Sequence, residues 1–113
     1  MIAKGSTGRN FTGSLLIDLN SAEWEPTETK GFYTKRIFKD EQSGESTFLM
    51  KMDPGAHSPK HSHKQLEEIF VLQGDFYDEE HRYEAGQYCI RAIGAEHETR
   101  SENGGVVLLI YRN

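Results

Sequence analysis

Short segments of alternating apolar and polar residues run along this chain, and no stretch of helical length keeps the apolar spacing of an amphipathic helix. The alternating segments are rich in Val, Ile, Phe, Tyr and Thr, residues that favour strands. The pattern predicts seven or more short strands, of which the clearest are Leu15–Asp18, Phe32–Phe38, Ser46–Met52, Glu68–Leu72, Asp75–Tyr77, Gln87–Arg91 and Val106–Arg112.

Turn-forming residues separate these segments at regular intervals. The turn signals are Gln42-Ser43-Gly44, Asp53-Pro54-Gly55, Gln73-Gly74, Asp78-Glu79-Glu80, Glu84-Ala85-Gly86 and Asn103-Gly104-Gly105. Many short strands with such spacing are typical of a sandwich or a small barrel, so the sequence predicts an all-β fold.

The chain has 113 residues, which is the size of a single domain. Residues 1–14 hold Gly, Ser, Thr and Asn with few apolar side chains, so we expect a flexible N-terminal arm there and one barrel domain over residues 15–113. We expect Trp24 to fold the N-terminal segment onto the barrel. No apolar run resembles a signal peptide or a membrane span, and we therefore expect a cytoplasmic protein without a membrane partner.

Composition narrows the functional classes. The net charge is −5 and the 13 basic residues form no stripe, which argues against a nucleic-acid partner. A single cysteine, Cys89, allows no internal disulfide and no cysteine-rich zinc site. Stability must then come from packing, with a possible contribution from a metal ion.

A histidine and glutamate cluster carries the candidate chemistry. His61 and His63 are two residues apart, so on a strand both imidazoles point to the same face. Glu67 follows at the start of an apolar strand, where a carboxylate facing the interior needs a cation. His97 is the expected fourth ligand, and imidazoles with a carboxylate suit zinc, iron, manganese, cobalt or nickel.

An ordinary structural interpretation competes with this one. A His-x-His pair also occurs at exposed strand ends, and Glu67-Glu68 can be a solvated acidic pair. His57 and His81 are interpreted as surface histidines, and Cys89 as a packing residue.

The wider spacing resembles a known family. Gly55, His61, His63, Glu67 and Gly74 are spaced as in the first cupin motif, and Gly86, Gly94 and His97 resemble the second. Two positions depart from the family pattern: Ala92 stands where proline is usual, and Ser101 where asparagine is frequent. The segments EEIFVLQGDFYDEEHRYEAGQY and IGAEHETRSENGGVVLLIYRN are most similar to the cupin domain of ChrR-type anti-sigma factors.

This resemblance implies a double-stranded β-helix, the cupin jelly-roll barrel. It also implies one divalent metal ion (zinc, iron, manganese or nickel) held by His61, His63, Glu67 and His97. Glu68 replaces Glu67 if the strand enters one residue out of register. The sigma-binding domain of ChrR-type proteins is helical with its own His and Cys ligands, and the residues before Trp24 contain no cysteine, so sigma-factor inhibition is not expected from the resemblance.

Two functions follow as hypotheses. The first is a small-molecule metalloenzyme such as a metal-dependent dioxygenase, with Glu67 as the catalytic residue that shuttles a proton. The alternative is a non-catalytic module that binds or senses a metal or ligand. In either case we expect a small-molecule ligand or substrate, and a homodimer that pairs through edge strands.

Overall fold

The structure, a computed structural model, describes residues 2–3 and 11–113. Every regular element within these ranges is a strand, which confirms the predicted all-β class. The strands are β1 (Ile2–Ala3), β2 (Leu16–Ile17), β3 (Glu25–Pro26), β4 (Phe32–Lys39), β5 (Ser46–Met52), β6 (His57–His61), β7 (Leu66–Tyr77), β8 (Arg82–Glu84), β9 (Tyr88–Arg91), β10 (His97–Arg100) and β11 (Gly105–Arg112). This part of the chain accordingly offers no helix that could cross a membrane.

One sheet of nine strands curls into a half-barrel and builds the domain. Its order is β3-β4-β5-β11-β7-β10-β6, and β8 and β9 also pair with β7. The long strand β7 therefore has β11 on one side and β9 on the other along its first half. The apolar core lies inside the curl and consists of Phe32, Met52, Ala56, Ile69, Val71, Phe76, Tyr83, Val107 and Leu109.

Strand alternation decides which side chains enter the core. Along the first half of β7, Glu67, Ile69 and Val71 are buried, whereas Phe70 and Leu72 are exposed. On β11 the buried residues Val107 and Leu109 lie opposite Val71 and Ile69, so the two strands share one inner face. The alternating pattern in the sequence therefore reports this inner face directly.

The turn predicted at Gln73-Gly74 is wrong, because β7 continues through it as one strand. Gly74 has a φ of 68°, and the pairing with β11 shifts register beside it, which marks a β-bulge. A Cβ atom on Gly74 would lie 2.1 Å from the carbonyl oxygen of Gly104. Glycine is required here for the close approach of two strands.

Five strands were not predicted: β1, β3, β6, β8 and β10. The sequences of β6 and β10, HSPKH and HETR, contain no apolar alternation, and they form strands because they pair with each other. Most of the expected flexible arm, residues 1 and 4–10, lies outside the described residues, while Ile2–Ala3 pair in parallel with Leu16–Ile17.

Candidate metal centre

The pairing of β6 with β10 brings the histidines together. His97 is the direct cross-strand partner of His61, and His63 lies just beyond the end of β6. The ring centroids are 4.4 Å apart for His61 and His97, 5.0 Å for His61 and His63, and 5.8 Å for His63 and His97. One nitrogen from each ring lies within 4.8 Å of the others. The predicted convergence of three imidazoles is therefore present.

Backbone hydrogen bonds hold the pieces that carry these rings. The Gly94 N–H donates to the carbonyl of His63 over 2.9 Å, which ties the turn before His97 to the segment after β6. The Nδ1 atom of His61 lies 2.8 Å from the carbonyl oxygen of Pro59. Because a carbonyl only accepts, Nδ1 carries the proton, and Nε2 is left with a free lone pair for a metal ion.

Glu67 lies beside this cluster, fixed by the strands on both sides. It is directly opposite Tyr111 on β11 and Arg91 on β9. The Tyr111 hydroxyl donates to Oε2 over 2.6 Å, and Arg91 Nε lies 3.2 Å from Oε1. The carboxylate is also close to two histidines, with Oε2 3.4 Å from His63 Nε2 and Oε1 3.7 Å from His97 Nε2. Only 4% of Glu67 is exposed.

A buried arginine, which the sequence analysis did not single out, completes the electrostatics. The Nη1 atom of Arg91 donates to Asp78 Oδ2 over 2.7 Å, and the Tyr83 hydroxyl donates to the same oxygen over 2.9 Å. Arg91 thus links Glu67 to Asp78. The signal that could have found it is its position on the inner side of β9, two residues after Cys89, where an arginine needs buried partners.

The electrostatic environment keeps the imidazoles of His63 and His97 neutral. Burial lowers the pKa of His63, and although the Glu67 charge acts in the opposite direction, His61 and Arg91 lower it further. Burial and the nearby charge of Arg91 also lower the pKa of His97. Burial and the Glu67 carboxylate raise the pKa of Tyr111, which therefore remains a hydrogen-bond donor at neutral pH.

These residues fit a divalent metal ion. Metal ions bind ionised carboxylates and neutral imidazoles, and the neutral form is the one that this environment favours for His63 and His97. The Oε1 atom of Glu67 is buried and accepts no hydrogen bond of acceptable geometry, although Arg91 Nε is near. A buried carboxylate oxygen that lacks a hydrogen-bond donor and lies next to three imidazoles is compatible with a metal site.

A cavity of about 130 Å³ leads to the cluster. Its walls are mostly apolar and include Phe32, Met50, Ile69, Phe76, Val107 and Leu109. The three histidines, Glu67 and Tyr111 also line it, together with the hydroxyl-bearing residues Thr27, Thr29, Ser58 and Thr99. The site therefore combines an apolar chamber with a group of metal-ligating side chains at one end.

The remaining sequence candidates lie elsewhere. Glu68 points away from the interior, where Arg112 Nε lies 2.7 Å from its Oε2 and the Tyr88 hydroxyl donates to its Oε1. His57 is exposed and contacts Glu98, with 3.1 Å between Nε2 and Oε2. Cys89 is partly buried and packs against the core.

Comparisons with known proteins agree with this architecture. The sequence pattern of the ChrR Cupin-like domain matches residues 12–113. A chain in the structure of Rhodobacter sphaeroides SigE in complex with the anti-sigma ChrR is 26% identical, with a TM-score of 0.71. That match covers 83% of this chain and 51% of the other, so this chain spans about half the length of its relative.

Other solved structures share the fold. A putative acetylacetone dioxygenase from Methylibium petroleiphilum PM1 has a TM-score of 0.81 at 16% identity, covering 91% of this chain and 79% of the other. KdgF from Halomonas sp. has a TM-score of 0.70 at 23% identity, covering 90% and 96%. No curated protein matches the sequence. The predicted double-stranded β-helix of the cupins is confirmed.

Proposed function

This chain belongs to the ChrR Cupin-like domain family, and from that premise we propose that it is a metal-dependent enzyme acting on a small, largely apolar molecule, such as a dioxygenase. The observation that carries the proposal is the apolar cavity that ends at the histidine cluster. A structural metal site is usually closed by protein ligands, whereas a catalytic site keeps an accessible position. The cavity gives a small molecule access to that position.

The ligands in this proposal are His61, His63 and His97, with Glu67 as the fourth. Glu67 Oε2 lies 3.4 Å from His63 Nε2, and Glu67 Oε1 lies 3.7 Å from His97 Nε2. These distances support the role of Glu67, since neighbouring ligands of one ion lie about this far apart. A bound divalent ion would supply a Lewis acid and, with iron or manganese, redox chemistry.

Glu67 and Tyr111 supply the proton chemistry in this proposal. The Tyr111 hydroxyl donates to Glu67 Oε2, and both residues line the cavity. A proton taken from a substrate would be received on the Glu67 carboxylate, which becomes neutral and leaves the negative charge on the substrate. Before the transfer, Arg91 Nε, 3.2 Å from Oε1, balances the charge of the carboxylate. Glu67 is thus the proposed catalytic residue, and Tyr111 holds its orientation.

Cavity size and lining limit the substrate. A cavity of roughly 150 Å³ accommodates benzene, so about 130 Å³ is suited to a small molecule with a body of about that size. The walls favour an apolar body, and the metal end favours an oxygen-bearing group that can chelate. Small diketones and catechol-like compounds combine these properties, and two structural neighbours are described as acetylacetone dioxygenases.

Oxygen consumption tests the proposal. Metal content is measured on the purified protein, which is then stripped and reloaded separately with iron, manganese, nickel and zinc. We expect oxygen uptake with small 1,3-diketones or catechols for a redox-active metal, and loss of this uptake in His97→Ala but not in His57→Ala. Rates equal to buffer for every metal and compound would contradict the enzymatic proposal.

A non-catalytic sensing role is the second candidate, favoured by the ChrR family match and by 26% identity to a chain of the SigE–ChrR complex. In that case the site would retain zinc without exchange, and chelation would cost a large part of the folding stability. Exchange of the metal within minutes, together with turnover, would exclude it. Either role agrees with the proposed cytoplasmic location, and the net charge of −5 supports a small molecule rather than nucleic acid as the ligand.

A further inference from the structure

Two residues with hydroxyl groups lie opposite each other beside the histidine cluster. Thr99 follows His97 on β10 by two residues, so both side chains point to the same face of the strand, and both are buried. Ser58 on β6 is the direct cross-strand partner of Thr99, as His61 is of His97. We call Ser58 and Thr99 the hydroxyl pair. Both residues line the cavity that reaches the histidines.

A bulge in β6 brings Ser58 to the inner face. Between the two cross-strand pairs the register shifts, because β10 advances by two residues while β6 advances by three, from Ser58 to His61. On a regular strand two residues three positions apart point to opposite faces. Here Pro59 and Lys60 are both exposed, and Ser58 and His61 both line the cavity. Bulges that turn a side chain toward a site in this way are frequent next to active sites.

The hydroxyl pair is available to a molecule in the cavity. Only 7% of Thr99 is exposed, and within the described part of the chain its hydroxyl has no hydrogen-bond partner. Ser58 Oγ has only a long contact of 3.4 Å to His61 Nδ1, whose proton is already donated to a backbone carbonyl. By contrast, the hydroxyl of Thr27 on the same cavity wall donates to the carbonyl of Phe32 over 2.9 Å. A buried hydroxyl without a partner needs an explanation, and a polar group of a ligand supplies one.

The charges of the cavity wall limit what this polar group can be. No lysine or arginine is among the described residues that line the cavity, and the acidic residue among them, Glu67, lies against the histidines. A carboxylate or phosphate held at the hydroxyl pair would therefore be buried without a positive partner, which is costly. The group that the pair binds is accordingly neutral, such as a hydroxyl or a carbonyl.

We propose that Ser58 and Thr99 determine specificity for a substrate that carries a third, neutral polar group in addition to its two chelating oxygens. This inference rests on the proposed small-molecule site and narrows the class of its substrate. The two oxygens lie at the histidine end, and the third group meets the hydroxyl pair. Each hydroxyl can donate and accept a hydrogen bond, so the pair recognises either a hydroxyl or a carbonyl. A few polar groups placed in an apolar pocket fix the orientation of a ligand in this way.

The position of the hydroxyl pair suits a compact molecule. A strand rises about 3.3 Å per residue, so Thr99 lies about 7 Å beyond His97 along β10. A single six-membered ring with its substituents spans such a distance, and the cavity of about 130 Å³ is of a size that holds such a ring. A ring that chelates at the histidine end can therefore place a third substituent at the hydroxyl pair.

Three phenols with the same chelating pair test the proposal. Catechol has two hydroxyls, and pyrogallol and 1,2,4-trihydroxybenzene add a third at the two distinct positions that the ring offers. Calorimetry without oxygen on the zinc-loaded protein gives their dissociation constants. We expect at least one trihydroxy compound to bind about 10-fold more tightly than catechol, the size of one hydrogen bond. In Thr99→Val this ratio should fall below about 3-fold, and the intrinsic affinity of each phenol for zinc cancels when ratios are compared between proteins.

Thr47→Val is the matched control, because Thr47 lies on β5 opposite Ile110, outside the cavity wall, and it should keep the wild-type ratio. Should Thr99→Val not fold, Ser58→Ala takes its place. Equal affinities for the three phenols, or no binding of any, would overturn the inference, and so would a ratio that is unchanged in the hydroxyl-pair variant.

Oxygen uptake by the iron-loaded protein separates this inference from the proposed function. A preference for a trihydroxy compound that Thr99→Val removes, without any oxygen uptake, would contradict the enzymatic proposal and support the role of the hydroxyl pair. Oxygen uptake together with equal affinities for the three phenols would support the enzyme and overturn the inference.

Discussion

Glu67 and Glu68 are adjacent in the sequence but lie in opposite environments. Glu67 enters the interior, where it contacts Tyr111, Arg91 and two histidines. Glu68 lies on the outer face and contacts Tyr88 and Arg112. The same contrast extends along β7, from buried Ile69 and Val71 to exposed Phe70 and Leu72. The position in the strand decides which carboxylate faces the histidine cluster, since the residue type is the same.

The contrast also shows how the two faces are stabilised. The inner face combines apolar packing with a buried charged group, in which Arg91 lies between the carboxylates of Glu67 and Asp78. The outer face is largely apolar and has its ion pair, Glu68 with Arg112, at the margin. Changes on the inner face should therefore alter metal binding and stability, whereas changes on the outer face should alter both much less.

Removing an inner-face histidine should have the largest effect. His97→Ala deletes a ligand from the cluster, and we expect the affinity for zinc to fall more than about 100-fold, beyond the loss typical of residues that only orient a ligand. His57→Ala is the matched control, because His57 is exposed, lies outside the group of three histidines and contacts Glu98. Competition with a chromogenic chelator measures both affinities. Equal affinities in the two variants would refute the three-histidine site.

The two neighbouring glutamates provide the most direct test of the comparison. Glu67→Gln leaves Arg91 with a single buried carboxylate partner, and we expect a loss of about 3 kcal/mol in the free energy of unfolding. Glu68→Gln removes the ion pair with Arg112, whose side chain is 57% exposed, and we expect a loss below about 1 kcal/mol. Urea unfolding of the metal-free proteins measures both values. Similar losses would show that burial does not distinguish the two residues.

The bulge at Gly74 marks the point where the simple alternation of faces ends. Gly74→Ala places a Cβ atom 2.1 Å from the Gly104 carbonyl oxygen at a φ of 68°, and the strands must separate. We expect a loss of about 3 kcal/mol. Gly86→Ala is the control, because Gly86 has a φ of 90° with no atom within 4 Å of the added Cβ, and should cost only about 1 kcal/mol. Thermal or urea unfolding would detect the difference.

Asp78 tests the inner charged group through its dependence on pH. Burial raises the pKa of Asp78, but hydrogen bonds from the His81 backbone, Arg91, the Glu80 backbone and Tyr83 together lower it below its ordinary value of 3.8. The native state therefore favours the carboxylate, and its contribution is present above pH 4 and lost as the pH falls through the lowered pKa.

Asp78→Asn should accordingly cost about 2 kcal/mol at pH 7, and the difference from wild type should shrink as the pH falls below 4. Urea unfolding at several pH values measures this difference. If the difference in unfolding free energy between Asp78→Asn and wild type stayed constant from pH 7 to pH 3, the ionised carboxylate of Asp78 would not be the source of the stabilisation.

The sequence predicted those parts of the fold that alternation encodes. The strands at 32–39, 46–52 and 105–112 follow apolar alternation because their inner faces build the core. The polar strands β6 and β10 escaped prediction, since their pairing depends on a partner distant in the sequence. Gly74 predicted a turn because a glycine signal does not distinguish a turn from a bulge.

The site was predictable to the extent that spacing encodes it. His61, His63 and His97 were found from their motif positions, and the structure brings their rings together. Arg91 and Asp78 were not found, because their contacts depend on the register of β9 against β7 and on the turn that follows β7. The spacing of residues in the sequence indicates which side chains can bind a metal ion. Which charged residues lie next to them depends on the strand register, which the sequence does not show directly.

The hydrogen bond from the Gly94 amide to the His63 carbonyl joins the two pieces of chain that carry His63 and His97. An amide held in this way exchanges its proton for solvent deuterium only when the two pieces separate. The exchange rate at Gly94 therefore reports how often the cluster opens, without any label or ligand. It offers a way to follow the assembly of the site within the native protein.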